Sequence, residues 1–155
     1  MIGSSLSSTT STLHSSPKTT INAAHYAMLL NNDINGLKGV VDEGGKFSDL
    51  VWESDNSTIL HLAASTGSSN IIELIIQQNP ELLQVQNLNG DLPIHVAAKS
   101  CQLDAVKKSV LGDISMLERE NHDDYKNTAL HIALENQQEE MAKFLFRKCP
   151  KTFTN

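Results

Sequence analysis

The chain is short of cysteine, aromatic residues and basic charge, and each shortage removes a class of function. Its two cysteines, Cys101 and Cys149, stand far apart in 155 residues. Neither has a second Cys or a suitably spaced His beside it, so no disulfide framework or zinc site is suggested, and a reducing compartment fits best. Aromatics make up 5% of the chain, which points to packing by small and aliphatic side chains. Twelve Lys+Arg stand against 18 Asp+Glu for a formal charge of −6, with no basic block. Nucleic-acid and anionic-membrane surfaces need clustered cations to replace counterions, so neither partner is expected. No run approaches the roughly 18 to 20 uninterrupted apolar residues of a spanning helix, and this chain is expected to carry no membrane span. Gly44-Gly45 matches neither GxxxxGK nor GxGxxG, so no phosphate cradle is present. What remains is one domain with enough residues for its own core.

Residues 1–20 hold seven Ser and five Thr, with Lys18 as the only charge. That composition cannot bury enough apolar surface to fold and reads as a disordered tail. Met1, Ile2, Leu6 and Leu13 never cluster into the apolar region of a secretory signal. A plastid-type transit peptide is also hydroxyl-rich, but it normally carries Arg, and the tail has none. Ser16-Pro17 has the form of a proline-directed phosphorylation site, as chance pairs in any Ser/Thr-rich tail do.

From about Ile21 the chain repeats itself. TILHLAASTG at 58–67, LPIHVAAKSC at 92–101 and TALHIALENQ at 128–137 align without gaps and begin 34 and 36 residues apart. Asn87 aligns with Asn121 and Leu83 with Leu117, so the two extra residues fall between Asn121 and Thr128, in a loop. Each unit has one grammar. Thr58 and Thr128 offer hydroxyl caps, and Pro93 occupies a first helical position, where a missing N–H is tolerated. Leu60, Ala63 and Ala64 make a narrow first helix, and a polar break follows at Thr66-Gly67-Ser68. Ile71, Ile72, Leu74, Ile75 and Ile76 make an apolar second helix, matched by Met141, Ala142, Phe144, Leu145 and Phe146. Asn89-Gly90 predicts a two-residue hairpin between units.

These T/L-x-L/I-H-x-A-A/L cores at about 33-residue spacing resemble the ankyrin repeat over about residues 54–150. A degenerate fourth unit precedes them at about 21–53, with Asn32 to Lys38 like the start of a second ankyrin helix and Tyr26 at the His position. Repeats are expected at about 54–87, 88–121 and 122–155. More narrowly, NPELLQVQNLNGDLPIHVAAKS and NTALHIALENQQEEMAKFLFRKCP resemble the plant ankyrin–transmembrane proteins of the accelerated-cell-death type. The resemblance implies an all-α solenoid in 21–155, no enzymatic activity and no cofactor. It implies a protein–protein interaction role in defence and cell-death signalling. It also implies a cytoplasmic location, at the cytosolic face of the plasma membrane if the chain belongs to a longer anchored protein. Family members carry a C-terminal membrane domain that this sequence lacks, so a truncated member or an excerpt is expected. A truncated product could also interfere with full-length relatives.

The sequence departs from the pattern in places. Leu92 stands where Thr usually caps, which should cost roughly 1 kcal/mol unless Asp91 substitutes. Lys108 and Ser109 fall where the second helix normally packs Leu or Ile, predicting a thin middle interface and incompletely cooperative unfolding, because repeat stability sums unit and neighbour terms.

His61, His95 and His131 invite a metal or catalytic reading. Their regular offset puts one imidazole in each unit instead of converging on one ion at the roughly 2 Å that zinc requires. By resemblance they are structural, linking helix start to hairpin. His14, His25 and His122 have no partner the sequence identifies. Cys101 replaces Gly67 at the inter-helix turn, and its simplest role is to fill space, since thiolate activation needs a cationic neighbour or a helix N-terminus. Glu118, Glu120, Asp123 and Asp124 lack the ordered spacing and central Gly of a calcium loop and read as a solvated acidic loop.

The remaining surface is a binding surface, because solenoids usually bind on the concave side formed by loop tips and first helices. The candidates are Trp52, Glu53, Asp55 and Asn56 at one tip, Leu88 and Asn89 at the next, and His122, Asp123, Asp124, Tyr125 and Lys126 at the third. Ser65, Lys99 and Glu135 are equivalent first-helix positions. Trp52 and Tyr125 are candidate anchors because aromatics dominate interface energetics, although Trp52 could equally pack beneath its own loop. The last helix, with Met141, Phe144, Leu145 and Phe146, should leave part of an apolar face bare, the mark of a partner (family members included), of self-association or of missing repeats.

Overall fold

Four times the chain places a cap three positions before a histidine, and four times a helix starts there. The computed structural model describes residues 18–42 and 45–148. Asn22, Thr58, Leu92 and Thr128 precede α1 (Ala23–Leu30), α3 (Ile59–Thr66), α5 (Pro93–Lys99) and α7 (Ala129–Glu135). Each turns into a second helix: α2 (Ile34–Asp42), α4 (Ser69–Gln78), α6 (Leu103–Gly112) and α8 (Glu139–Lys148). The reversal uses one left-handed residue per unit, Asn32, Gly67, Cys101 and Gln137, with φ of 53°, 75°, 60° and 57°. A second left-handed set, Asn56, Gly90 and Lys126, recurs at the loop tips. The backbone therefore repeats with the same 34- and 36-residue intervals as the sequence.

First helices stack on first helices through α1, α3, α5 and α7, and second helices α4, α6 and α8 stack on one another. A continuous aliphatic core lies between the layers, including Leu60, Ile71, Ile75, Ile94, Ala97, Val106 and Leu145. This is the expected helical solenoid with one addition, a small sheet. β1 (Thr19–Thr20), β2 (Leu50–Trp52) and β3 (Ser57–Thr58) lie in that order. β1 runs parallel to β2, pairing Thr19 with Leu50, and β3 runs antiparallel, pairing Trp52 with Ser57. Of the expected disordered tail over 1–20, residues 1–17 lie outside the described residues, as do His14 and Cys149. Thr19–Thr20, by contrast, are tied into the sheet, and Lys18 Nζ donates to the Ser48 carbonyl at 2.9 Å.

Four local expectations are corrected. In the degenerate unit the histidine position belongs to His25, not Tyr26: His25 Nδ1 accepts from Asn22 N at 3.2 Å, and Asn22 Oδ1 accepts from His25 N at 3.0 Å. The Asn89-Gly90 loop has three residues instead of two. Asn87 N donates to the Asp91 carbonyl, Gly90 N donates to the Asn87 carbonyl, and only Gly90 is left-handed, the turn-plus-bulge arrangement of a three-residue connection. The equivalent loop closes from Asn121 N to the Asn127 carbonyl and so contains the two extra residues.

The third correction concerns the middle unit, whose interface is close and not thin. Lys108 turns outward to pair with Glu73 on α4 at 2.5 Å. Ser109 is buried, and its hydroxyl donates to the Ala105 carbonyl at 2.9 Å. Ala105, Ser109 and Gly112 form a small-residue stripe at helical spacing. A Cβ on Gly112 would stand 2.8 Å from Ile76 Cγ2 and 3.0 Å from Leu83 Cδ1. α4 and α6 thus approach because the side chains between them are small. Cys101 is also corrected: it is exposed and fills no interior space.

Gly112→Ala is therefore expected to lose roughly 1–3 kcal/mol by overpacking. Gly39→Ala, inside α2 with nothing within 4 Å of the added methyl, should gain about 0.5–1 kcal/mol. Urea unfolding of both variants checks the pair, and a neutral Gly112→Ala would contradict the close approach.

Candidate interaction surface

The tips are positioned by a polar network that begins at the helix starts. Thr58 N donates to His61 Nδ1 at 3.0 Å, and His61 Nε2 lies 2.9 Å from the Asp91 carbonyl in the next unit. One imidazole thus completes its own helix cap and fixes the following loop. His95 repeats this, accepting from Leu92 N at 3.1 Å and reaching the Arg119 carbonyl at 2.9 Å. Both ring nitrogens of His61 and of His95 are therefore occupied by structure. His131 keeps the first half, with Thr128 N at 3.1 Å, and is exposed. Leu92 has no hydroxyl, and Asp91 does not substitute as a cap; His95 alone sustains the reciprocal bond.

Asp91 serves a different purpose. It is buried, and its carboxylate holds Lys99 Nζ at 2.8 Å and Asn121 Nδ2 at 3.0 Å. Its carbonyl meanwhile accepts from His61 and Asn87. Asn87 Nδ2 donates to Ser57 Oγ, and its Oδ1 takes the N–H groups of Asn89 and Asp91. Asn121 repeats the pattern one unit later, with Oδ1 accepting from Asn127 N. Adjacent tips are joined directly: Leu88 N donates to the Asp55 carbonyl at 2.7 Å and His122 N to the Gly90 carbonyl at 2.9 Å. Gly90 is required both for its φ of 80° and because a Cβ would meet His122 Cβ at 2.8 Å.

Most of the predicted tip residues do lie at the tips, but their freedom differs. Trp52 is half-buried in β2, packed against the core, which favours its packing role. Glu53 and Asn56 are exposed, while Asp55 Oδ1 accepts from Ser57 N. Leu88 is 70% exposed and Asn89 lies beside it in solvent. Lys99 is committed to Asp91. Asp123 is spent on its own loop, taking Asn121 Nδ2 and the N–H groups of Tyr125 and Lys126. Partial desolvation opposes its ionisation, yet those hydrogen bonds outweigh it and hold the carboxyl below its ordinary pKa. Asp124 and His122 are exposed, and Tyr125 is 81% exposed on a loop stiffened beneath it.

Residues 24–112 and 83–155 match the family model for ankyrin repeats in three copies. The chain belongs to the ankyrin-repeat family. Over 126 residues it is 31% identical to Protein ACCELERATED CELL DEATH 6 of Arabidopsis thaliana, an alignment covering 72% of this chain and 19% of that protein. It thus spans about a fifth of that curated relative's length. Ankyrin repeats are protein–protein interaction modules, generally without enzymatic activity. Among the described residues no helix is long and apolar enough to cross a membrane.

Sequence reasoning missed the hub residues Asp91, Asn87 and Asn121. The alignment of Asn87 with Asn121 was the available signal for two of them. The spacing Asn22-x-x-His25, identical to Thr58-x-x-His61, was the signal for the first unit.

Burial holds the pKa values of His61 and His95 below the ordinary imidazole range, against the raising effect of their carbonyl hydrogen bonds. The native state thus excludes protons that the unfolded chain takes up below about pH 6.5. Stability is full above that pH and falls as pH drops toward the folded values, by at most about 1.4 kcal/mol per pH unit for each histidine. Thermal melts at pH 7.5 and 5.5 should show a lower midpoint in acid, with a flatter response in His61→Gln; equal midpoints would contradict the neutral-imidazole network.

Proposed function

We propose that the chain is a protein-binding ankyrin module whose contact surface is centred on the second and third loop tips, with Leu88 and Tyr125 as anchors. The observation that carries this reading is the pairing of high exposure with a fixed backbone. Leu88 and Tyr125 present apolar and aromatic area, and Asn87, Asn121 and Asp123 have already fixed the loops that hold them. Little conformational entropy is then lost on binding. Likeness to ACCELERATED CELL DEATH 6 supports a setting in plant defence and cell-death signalling. With that setting we propose a cytoplasmic location, at the cytosolic face of the plasma membrane if the module is the head of an anchored protein.

A second reading is favoured by one feature. Leu130, Leu134 and Ala142, beside Lys143 and Arg147, line an apolar hollow on the α7–α8 face, where the ankyrin end of a relative could stack. A short form would then interfere with its full-length relatives.

Affinity capture from plant extract, followed by titration of the captured protein, tests the first reading. Leu88→Ala combined with Tyr125→Ala should weaken binding at least roughly tenfold, as loss of interface anchors does, with the melting curve unchanged. Binding that survives this pair but is lost in Leu134→Ser would transfer the function to the α7–α8 face.

A further inference from the structure

The second-helix layer carries a feature that the loop tips do not explain. Between α6 and α8 runs a groove of about 470 Å³ lined by Lys107, Val110, Leu111, Ile114, Phe144 and Lys148. Leu111 is 81% and Ile114 63% exposed. Lys107 Nζ and Lys148 Nζ lie 5.7 and 5.9 Å from the centroid of the same Phe144 ring. Lys99, Lys108 and Lys143 all hold carboxylates. Among the described residues neither Lys107 nor Lys148 does.

This is an unbalanced pair of positive charges in a chain of net charge −6. Each ammonium group has the same aromatic ring as its partner, which attracts it through the negative face but carries no formal charge that would neutralise it. A carboxylate beside them would supply that charge. The exposed aliphatics next to the pair call for apolar side chains at the same place, and the combination selects an occupant of mixed character.

We propose that this groove docks an acidic amphipathic segment of a partner protein. Its apolar side chains would rest on Leu111, Ile114 and Phe144, and its Asp or Glu side chains would pair with Lys107 and Lys148. A second copy of this chain fits less well. Its exposed acidic and apolar turn, with Leu134, Glu139 and Glu140, has both carboxylates already drawn to Lys143 at 2.7 and 3.5 Å. The groove belongs to α6 and α8 and to the turn after α6, so the proposal is independent of binding at the tips.

A random 16-residue peptide library panned on the full chain, followed by titration of the selected peptides, tests it. Selected sequences should combine Leu, Ile or Phe with Asp or Glu. Lys107→Glu with Lys148→Glu, and separately Leu111→Ser, should weaken binding at least roughly tenfold, while the Leu88→Ala, Tyr125→Ala pair leaves it unchanged. Lys-for-acid versions of the peptides should regain binding to the charge-reversed protein, which a merely misfolded variant could not produce. The proposal is overturned by the absence of selected peptides, by selected peptides without acidic residues, or by binding indifferent to the charge reversal. Concentration-dependent self-association lost in Leu111→Ser would overturn it too, giving the groove to a second copy.

Discussion

The structure depends on an imidazole that bonds in two directions. His61 takes the N–H at the start of its own helix and reaches the carbonyl of Asp91 in the next unit; His95 does the same toward Arg119. A carbonyl oxygen can only accept, and a backbone N–H can only donate. Nε2 must therefore carry the proton and Nδ1 must be bare. A hydroxyl also accepts and donates, but from a single atom; the ring carries the two functions on nitrogens at its opposite sides, so the neutral imidazole is both cap and strut.

Everything outward follows from this strut. It sets the position of Asp91, whose carboxylate gathers Lys99 and Asn121, and Asn121 in turn closes the third loop. Inward, the constraint is met by small residues: Ala63, Ala64, Ala97 and Ala98 are buried in the first helices, and Ser109 and Gly112 let α6 approach α4. Stiff tips and close layers are one arrangement, because a loop can be fixed to its neighbour only if the units beneath stack at constant distance. A tip surface held on a rigid stack in this way suits an interaction scaffold.

Much of this was legible in the sequence. The three aligned cores fixed the period, the place of the two-residue insertion, the N-terminal caps and the tip positions, because these depend on neighbours only a few residues away. The misreadings share a cause. Lys108 and Ser109 looked like defects because their value depends on Glu73, Ile76 and Leu83, about thirty residues earlier. Cys101 looked like filling because a left-handed turn leaves its side chain in solvent. Tyr26 displaced His25 because the first unit lacks a Thr cap, and Asn22 does the same work with a different side chain. Asp91 reads in the sequence as a local cap, while its partners lie about two helical turns on, at Lys99, and in the next loop, at Asn121.

The most direct measurement is the tautomer and charge of His61 and His95 by long-range ¹H–¹⁵N NMR of the imidazole nitrogens. The account predicts neutral rings at pH 7 with the proton on Nε2 in both, unchanged when the pH is lowered modestly below the ordinary imidazole value. A proton on Nδ1, or a cationic ring in the folded protein at neutral pH, would contradict it, because neither form can accept from its own helix start.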